Sequence, residues 1–283
     1  MNISRRECFQ LAAGLWTASA ASAKVRIPGL HIGVTDWNLG MTTKVEAFAL
    51  AKKIGFEGVE VSFGRPKQGA SKLPIDDPEL IARYQAAMKE TRIKLSSMCL
   101  DVLHSNNLKD NPLGPKWLGM AIPIAKKLKP TSMLLPMFGK NQPQNRAEMD
   151  ALADKLKDFA KEAERAKVAL ALENTLSAED NARIIERVNS PALKVFYDVG
   201  NALGAGFDPA KEIRWLGKKR IATLHLKDRG WLGEGKVDLP GIMQALADIG
   251  YRGWADLETS NPTKNVEADM KKNLAYVQSL VSG

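Results

Sequence analysis

The 283-residue sequence contains two cysteines and three histidines, and its aromatics make up 6% of the chain. Two cysteines rule out a disulfide framework as the source of stability. Three histidines, His31, His104 and His225, rule out any centre that needs a cluster of them. The chain also lacks an apolar run long enough to cross a bilayer. Nor does a Pro/Gly-rich linker or a shift in composition divide it into two domains. The net charge is +9, yet no basic stripe with interleaved aromatics accompanies it. Lys52-Lys53, Lys126-Lys127, Lys218-Lys219-Arg220 and Lys271-Lys272 fall in or near the ends of predicted helices, where cations are solvated and favoured by the helix dipole. A nucleic-acid partner is therefore not expected.

The first 23 residues differ from the rest. Arg5-Arg6, a mild apolar run from Leu11 to Ala21 and the small residues Ala21-Ser22-Ala23 have the order of an export signal peptide. The adjacent arginines resemble a twin-arginine signal, with Cys8-Phe9 where a phenylalanine is usual two residues after the second arginine. The expectation is a signal over 1–23, export by the twin-arginine machinery to a bacterial periplasm, and a mature domain over 24–283. Cleavage after Ala23 would leave Cys99 as the sole cysteine, so an oxidising compartment demands no disulfide.

From Gly29 onward, short β-rich runs alternate with segments of helical periodicity. The predicted strands are His31–Trp37, Gly58–Phe63, Lys94–Leu100, Ser132–Phe138, Val168–Asn174, Leu193–Val199, Ile221–Leu226 and Trp254–Thr259. The predicted helices are Val45–Ile54, Pro78–Thr91, Lys116–Leu128, Ala147–Ala166, Ala178–Val188, Pro209–Leu216, Leu239–Ile249 and Val266–Val281. Asp77-Pro78 and Asp208-Pro209 each set a capping aspartate before a first-turn proline. Gly55-Phe56-Glu57-Gly58 and Gly250-Tyr251-Arg252-Gly253 form a weak repeat that leads into strands two and eight. Eight such units predict a single-domain α/β fold, the (β/α)8 TIM barrel.

Four of the last strands end on one metal-capable side chain each: Glu173, Asp198, His225 and Glu258, spaced 25, 27 and 33 residues apart. One strand-plus-helix unit takes roughly 30 residues, so equivalent strand ends would gather these side chains around the barrel mouth. Each carboxylate follows a largely apolar run, and a charge there needs a cation, hydrogen bonds or a proton. Three carboxylates and an imidazole suit a hard or borderline divalent ion.

This ordered set, in Leu-Glu-Asn-Thr, Tyr-Asp-Val-Gly-Asn, His-Leu-Lys-Asp and Leu-Glu-Thr-Ser, resembles the xylose isomerase-like TIM barrels, often labelled sugar phosphate isomerases/epimerases. The resemblance spans Gly29 to Leu280. It implies that Glu173, Asp198, His225 and Glu258 bind one divalent metal, Mn2+ foremost, with Mg2+, Co2+ or Zn2+ as alternatives. It also implies that Glu173 and Glu258 are the acid/base pair of a sugar isomerase or epimerase that works through an enediolate. An exported enzyme would meet an unphosphorylated sugar or keto-sugar. The same chemistry could end in elimination, as a lyase or dehydratase on a keto-sugar, keto-inositol or 3-keto-glycoside. A non-catalytic sugar-binding barrel is a further alternative. Endonuclease IV-type repair enzymes share the barrel, but their trinuclear zinc sites need more histidines than this chain has.

Around the quartet, Lys227 lies two residues past His225 on the same strand face, where it could touch a substrate oxygen. Asn201, Trp37, His104 and Arg229 are the other candidate substrate contacts, with Trp117 and Trp231 as weaker ones. Glu60 sits mid-strand, where an internal polar contact competes with a catalytic role. Cys99 reads as a small core residue.

Overall fold

The computed structural model describes residues 24–282. The proposed signal peptide, 1–23, lies outside the described residues.

Eight parallel strands close into a barrel. They are β1 (Leu30–Thr35), β2 (Gly58–Ser62), β3 (Lys94–Cys99), β4 (Ser132–Pro136), β5 (Ala169–Glu173), β6 (Leu193–Asp198), β7 (Ile221–Leu226) and β8 (Gly253–Leu257). Closure is made by β8 against β1, in register from Leu30 opposite Gly253 to Val34 opposite Leu257. The surrounding helices are α1 (Ala47–Ile54), α2 (Pro78–Thr91), α3 (Leu113–Leu128), α4 (Arg146–Ala166), α5 (Ala178–Val188), α6 (Val199–Gly204), α7 (Pro209–Arg220), α8 (Leu239–Asp248) and α9 (Val266–Leu280). None of these is long and apolar enough to cross a membrane. Their apolar faces bury Phe48, Leu118, Leu152 and Leu246 against the outward-facing strand side chains in one continuous core. This two-layer packing is what the alternating sequence pattern predicted.

Local sequence explains the element ends. Asp77 accepts from the amides of Glu79 and Leu80, and Asp208 accepts from Lys211, so both capping predictions hold. Gly55 closes α1 at φ 111°, a conformation that side chains disfavour. Gly58 starts β2 where a Cβ would stand 2.5 Å from the Trp254 ring, so a glycine is what lets this indole lie across the barrel floor.

Several features depart from the sequence expectation: α3 already begins at Leu113, before the expected Lys116, and α7 runs on to Arg220, past the expected Leu216. The helix after β4 opens at Arg146, because the Asn145 side chain caps it by accepting from Glu148 N. An additional short helix, α6, follows β6 directly; Asp198 itself caps it by accepting from Asn201 N. Finally, Val25–Arg26 and Val281–Ser282 form a two-residue parallel pair that joins the described ends of the chain, too short to leave a periodic signature.

Candidate metal centre and active site

The C-terminal ends of the strands surround a cavity of about 780 Å³, of the size usual for small-molecule sites. Glu173 ends β5, Asp198 ends β6, His225 is the fifth residue of β7, and Glu258 follows β8. The register places Asp198 directly beside His225. One donor atom from each of the four side chains lies within 4.8 Å of every other. The structure thus brings together all four residues that the sequence spacing singled out.

His225 is the hub. Its Nδ1 stands 3.1 Å from Glu173 Oε1, 3.6 Å from Glu258 Oε2 and 3.8 Å from Asp198 Oδ2. Its Nε2 points the other way, to Glu60 Oε2 at 2.7 Å inside the barrel. The ring packs against Phe196, with centroids 4.4 Å apart, and meets the edge of Trp37. Burial alone would push His225 down, but the Glu60 and Glu258 carboxylates outweigh it and hold the imidazole well above its ordinary value.

The carboxylates divide by environment. Burial pushes Asp198 up to about 7, helped by the charge of Glu173 and opposed by Lys227 and His225. Burial also acts on Glu258, but His225 and the Lys227 ammonium reverse it, so this carboxyl lies below its usual value. Lys227 Nζ lies 2.7 Å from Glu258 Oε2 and 3.5 Å from Asp198 Oδ2. Trp37 Nε1 donates to Glu258 Oε1 at 3.1 Å. Asp198 Oδ1 is occupied by the Asn201 amide at 2.7 Å, leaving Oδ2 to face the centre.

A divalent cation fits this donor set. Three carboxylates converge where one histidine and one lysine supply positive charge, and Glu60 adds a fourth acidic group behind the imidazole. Such crowding of buried carboxylates is costly without a further cation. The three-oxygen, one-nitrogen set is one that Mn2+, Mg2+, Co2+ or Zn2+ accepts.

The other sequence candidates distribute around this centre. Trp37, His104, Asn201 and Lys227 line the cavity. The His104 ring stacks on Phe138, and burial together with Arg65 pushes its pKa down. Arg229 does not line this cavity. The carboxylate of Asp228 gathers the backbone amides of Arg229, Gly235 and Lys236, which turns the chain outward and puts Arg229 in an adjoining hollow. Trp231 turns away to Asp269, with Lys272 over its ring, and Trp117 is buried in α3. Cys99 is a buried free thiol in the cavity wall. His31 sits at the far end of β1, paired with Glu57, so the three histidines form no cluster.

Sequence reasoning left open Glu60 and missed a second polar group on the β1–β3 side. Asp36, fully buried, accepts from Thr43 N and Ser62 N; burial pushes it up to about 8. Ser62 in turn donates to Asp101, which lines the cavity with Arg65. Asp36 and Asp101 each stand at or just past a strand end, a signal that could have marked them.

The fold and the carboxylate-histidine centre together define a TIM barrel with a divalent-metal type of site at its C-terminal mouth. The chain belongs to the xylose isomerase-like TIM barrel family, whose model matches residues 48–280. It is 25% identical over 205 residues to 2-epi-5-epi-valiolone 7-phosphate 2-epimerase of an Actinoplanes species, covering 70% of this chain and 72% of that protein. It is 26% identical over 256 residues to L-ribulose-5-phosphate 3-epimerase UlaE of Salmonella heidelberg, covering 83% and 89% respectively. Among solved structures, 3-keto-D-glucoside 4-epimerase YcjR of E. coli superposes with a TM-score of 0.71 at 17% identity, over 88% of this chain and 99% of that one. At that identity the structural likeness speaks for the fold.

Proposed function

We propose that this protein is a divalent-metal-dependent sugar isomerase or epimerase that moves a proton on a carbon next to a carbonyl. The observation that carries the reading is the convergence of Glu173, Asp198, His225 and Glu258 within 4.8 Å at the mouth of the barrel. The names of the relatives, epimerases of sugar-like substrates, support it.

Glu173, Asp198, His225 and Glu258 would hold the ion. When bound, it would supply Lewis-acid polarisation of the substrate carbonyl and its neighbouring hydroxyl. The chain's own residues do the rest. Glu258, kept ionised by Lys227 and His225, is suited to take a proton from carbon. Glu173 lies across the centre as its partner, so one carboxyl removes the proton and the other returns one. Return to the same carbon on the opposite face inverts it; return to the former carbonyl carbon, with the hydroxyl proton passing to the former carbonyl oxygen, isomerises the sugar. Asp198, with one oxygen tied to the Asn201 amide, is a holder of the centre. Trp37 and Lys227 fix the Glu258 carboxylate from two sides.

The substrate reading is an unphosphorylated sugar or keto-sugar. It rests on the export signal expected from Arg5-Arg6. Of the two cationic side chains that line the cavity, Arg65 and Lys227, Lys227 is already engaged by two carboxylates. The test is to strip the full chain of metal, reload it with Mn2+ and incubate it with D-fructose, D-tagatose and L-ribulose beside their 5- or 6-phosphates. New epimers or aldoses from the free ketoses, dependent on metal, support the proposal. Turnover of the phosphates alone overturns the substrate reading, and products of elimination would replace isomerisation with a lyase.

A further inference from the structure

A second cavity, about 650 Å³, adjoins the first and shares Asn201 and Lys227 with it. Three further observations describe how it is built. A Cβ at Gly200 would stand 3.1 Å from the Lys227 stem, tighter than ordinary van der Waals contact. That close approach lays the lysine stem against α6 while its ammonium reaches Asp198 and Glu258, so Lys227 is the partition between the two cavities. The outer wall, the loop after β7, is held by the Asp228 carboxylate. It accepts from four backbone amides, Arg229, Gly235, Lys236 and Val237, at 2.8–3.4 Å. Gly235 is required there too, since its Cβ would fall 1.8 Å from Asp228 Oδ1. The annex is thus a recess lined by Asn201, Arg229, Glu234 and Lys236, with Glu234 Oε1 already paired to Lys272 at 2.7 Å. The Asn201 side chain, the Arg229 and Lys236 donors and the second Glu234 oxygen offer a hydroxyl-rich ligand several hydrogen bonds.

We infer that this annex is a second sugar subsite and that the substrate is a glycoside or disaccharide. One ring reacts at the quartet while the second, unreacting ring lies past Lys227 against Arg229, Glu234 and Lys236. The inference rests on the reading of the main cavity as the sugar-processing site. The Asn201 side chain lies where both rings would pass it, and a monosaccharide would leave the annex empty. Binding energy from the remote ring would then be available to hold the reacting ring in place.

The experiment uses the full chain with Mn2+ and compares D-fructose with two ketose-ended disaccharides, lactulose and maltulose, by solvent deuterium exchange. In parallel, saturation-transfer NMR on the protein loaded with diamagnetic Mg2+ reads which ring protons touch it. The blocking variant is Gly204→Trp: this glycine lines the annex at the end of α6 and has nothing within 4 Å of its Cβ position. Lys236→Ala, at an exposed loop position, is the second variant. For the wild type, the disaccharides are expected to have a KM about tenfold below that of fructose, the worth of one or two net hydrogen bonds. Saturation transfer to the non-ketose ring should accompany it. Gly204→Trp should bring the disaccharide-to-fructose ratio to about one and abolish transfer to the second ring, and Lys236→Ala should reduce both. Exchange on fructose, with no disaccharide advantage and no transfer to the second ring, overturns the annex while leaving proton abstraction intact. Saturation transfer to the second ring that disappears in Gly204→Trp, without exchange on any sugar, sustains the annex and overturns the proposed chemistry. Absence of both transfer and exchange overturns both.

Discussion

Glu60 and His225 stand 165 residues apart in the chain, yet Glu60 Oε2 lies 2.7 Å from His225 Nε2 in the closed interior of the barrel. The carboxylate is fully buried, and burial pushes it up to about 8 against the pull of His225. With Nε2 engaged behind, Nδ1 faces Glu173, Asp198 and Glu258. A ligating histidine is commonly oriented by such an outer partner. Glu60→Ala is therefore expected to weaken Mn2+ binding about 10–100-fold by isothermal titration. Glu60→Gln, which keeps an acceptor for Nε2–H, should lose less. Equal affinity in Glu60→Ala and the wild type would remove the orienting role.

Glu258 combines an ionised carboxylate with two fixing partners, Trp37 and Lys227. Glu258→Gln keeps the size and loses the base, so turnover should fall by about 10²–10⁴-fold. Trp37→Phe, which deletes one donor, should cost far less. Steady-state rates on the best ketose measure both.

Asp36 gives a pH signature outside the candidate metal quartet. Its carboxyl is raised by burial to about 8, above an ordinary 3.8. Folding thus favours its protonated form. The stabilisation is complete below the unfolded value and is lost as pH rises through the folded one. Stability against urea should accordingly decline between about pH 4 and 8, by up to about 5 kcal/mol from this group. Asp36→Asn, which retains an acceptor for the Thr43 and Ser62 amides, should flatten that part of the curve. An unchanged slope in the variant would show that Asp36 titrates normally.

The barrel floor makes a prediction about packing. A Cβ at Gly58 would stand 2.5 Å from the ring of Trp254, a buried side chain. Gly58→Ala should destabilise the fold by about 1–3 kcal/mol through overpacking. In a chain of this size that lowers Tm by roughly 2–4 °C for each kcal/mol. Scanning calorimetry measures it, and a second change, Trp254→Leu, should relieve the alanine's penalty.

The candidate metal quartet was legible in sequence because each member stands at or next to a strand end and one strand-plus-helix unit separates it from the next. Barrel closure turns that linear spacing into adjacency, as with Asp198 beside His225. Glu60 was not legible in the same way. Its partner is on a strand across the barrel, and nothing in Val59-Glu60-Val61 records which face points inward to a histidine. Asp36 hid similarly, because its partners Thr43 and Ser62 come from different loops and strands. Strand alternation would align Arg229 with Lys227, but β7 ends at Leu226 and the Asp228 carboxylate bends the following chain. Alternation stops predicting direction once the ladder stops. The helix α6 escaped because its cap is Asp198, a residue already read as a ligand.

The central claim is that this centre removes a proton from a carbon beside a carbonyl. The direct measurement is deuterium incorporation from heavy water, read by NMR after the metal is removed. Wild-type chain loaded with Mn2+ and Glu173→Gln loaded equally would be compared on the same ketoses. The account predicts deuterium at the carbon next to the carbonyl with the wild type, dependent on metal, and none with Glu173→Gln. Deuterium appearing at the same rate in Glu173→Gln, or product forming in the wild type without any solvent deuterium, would contradict it.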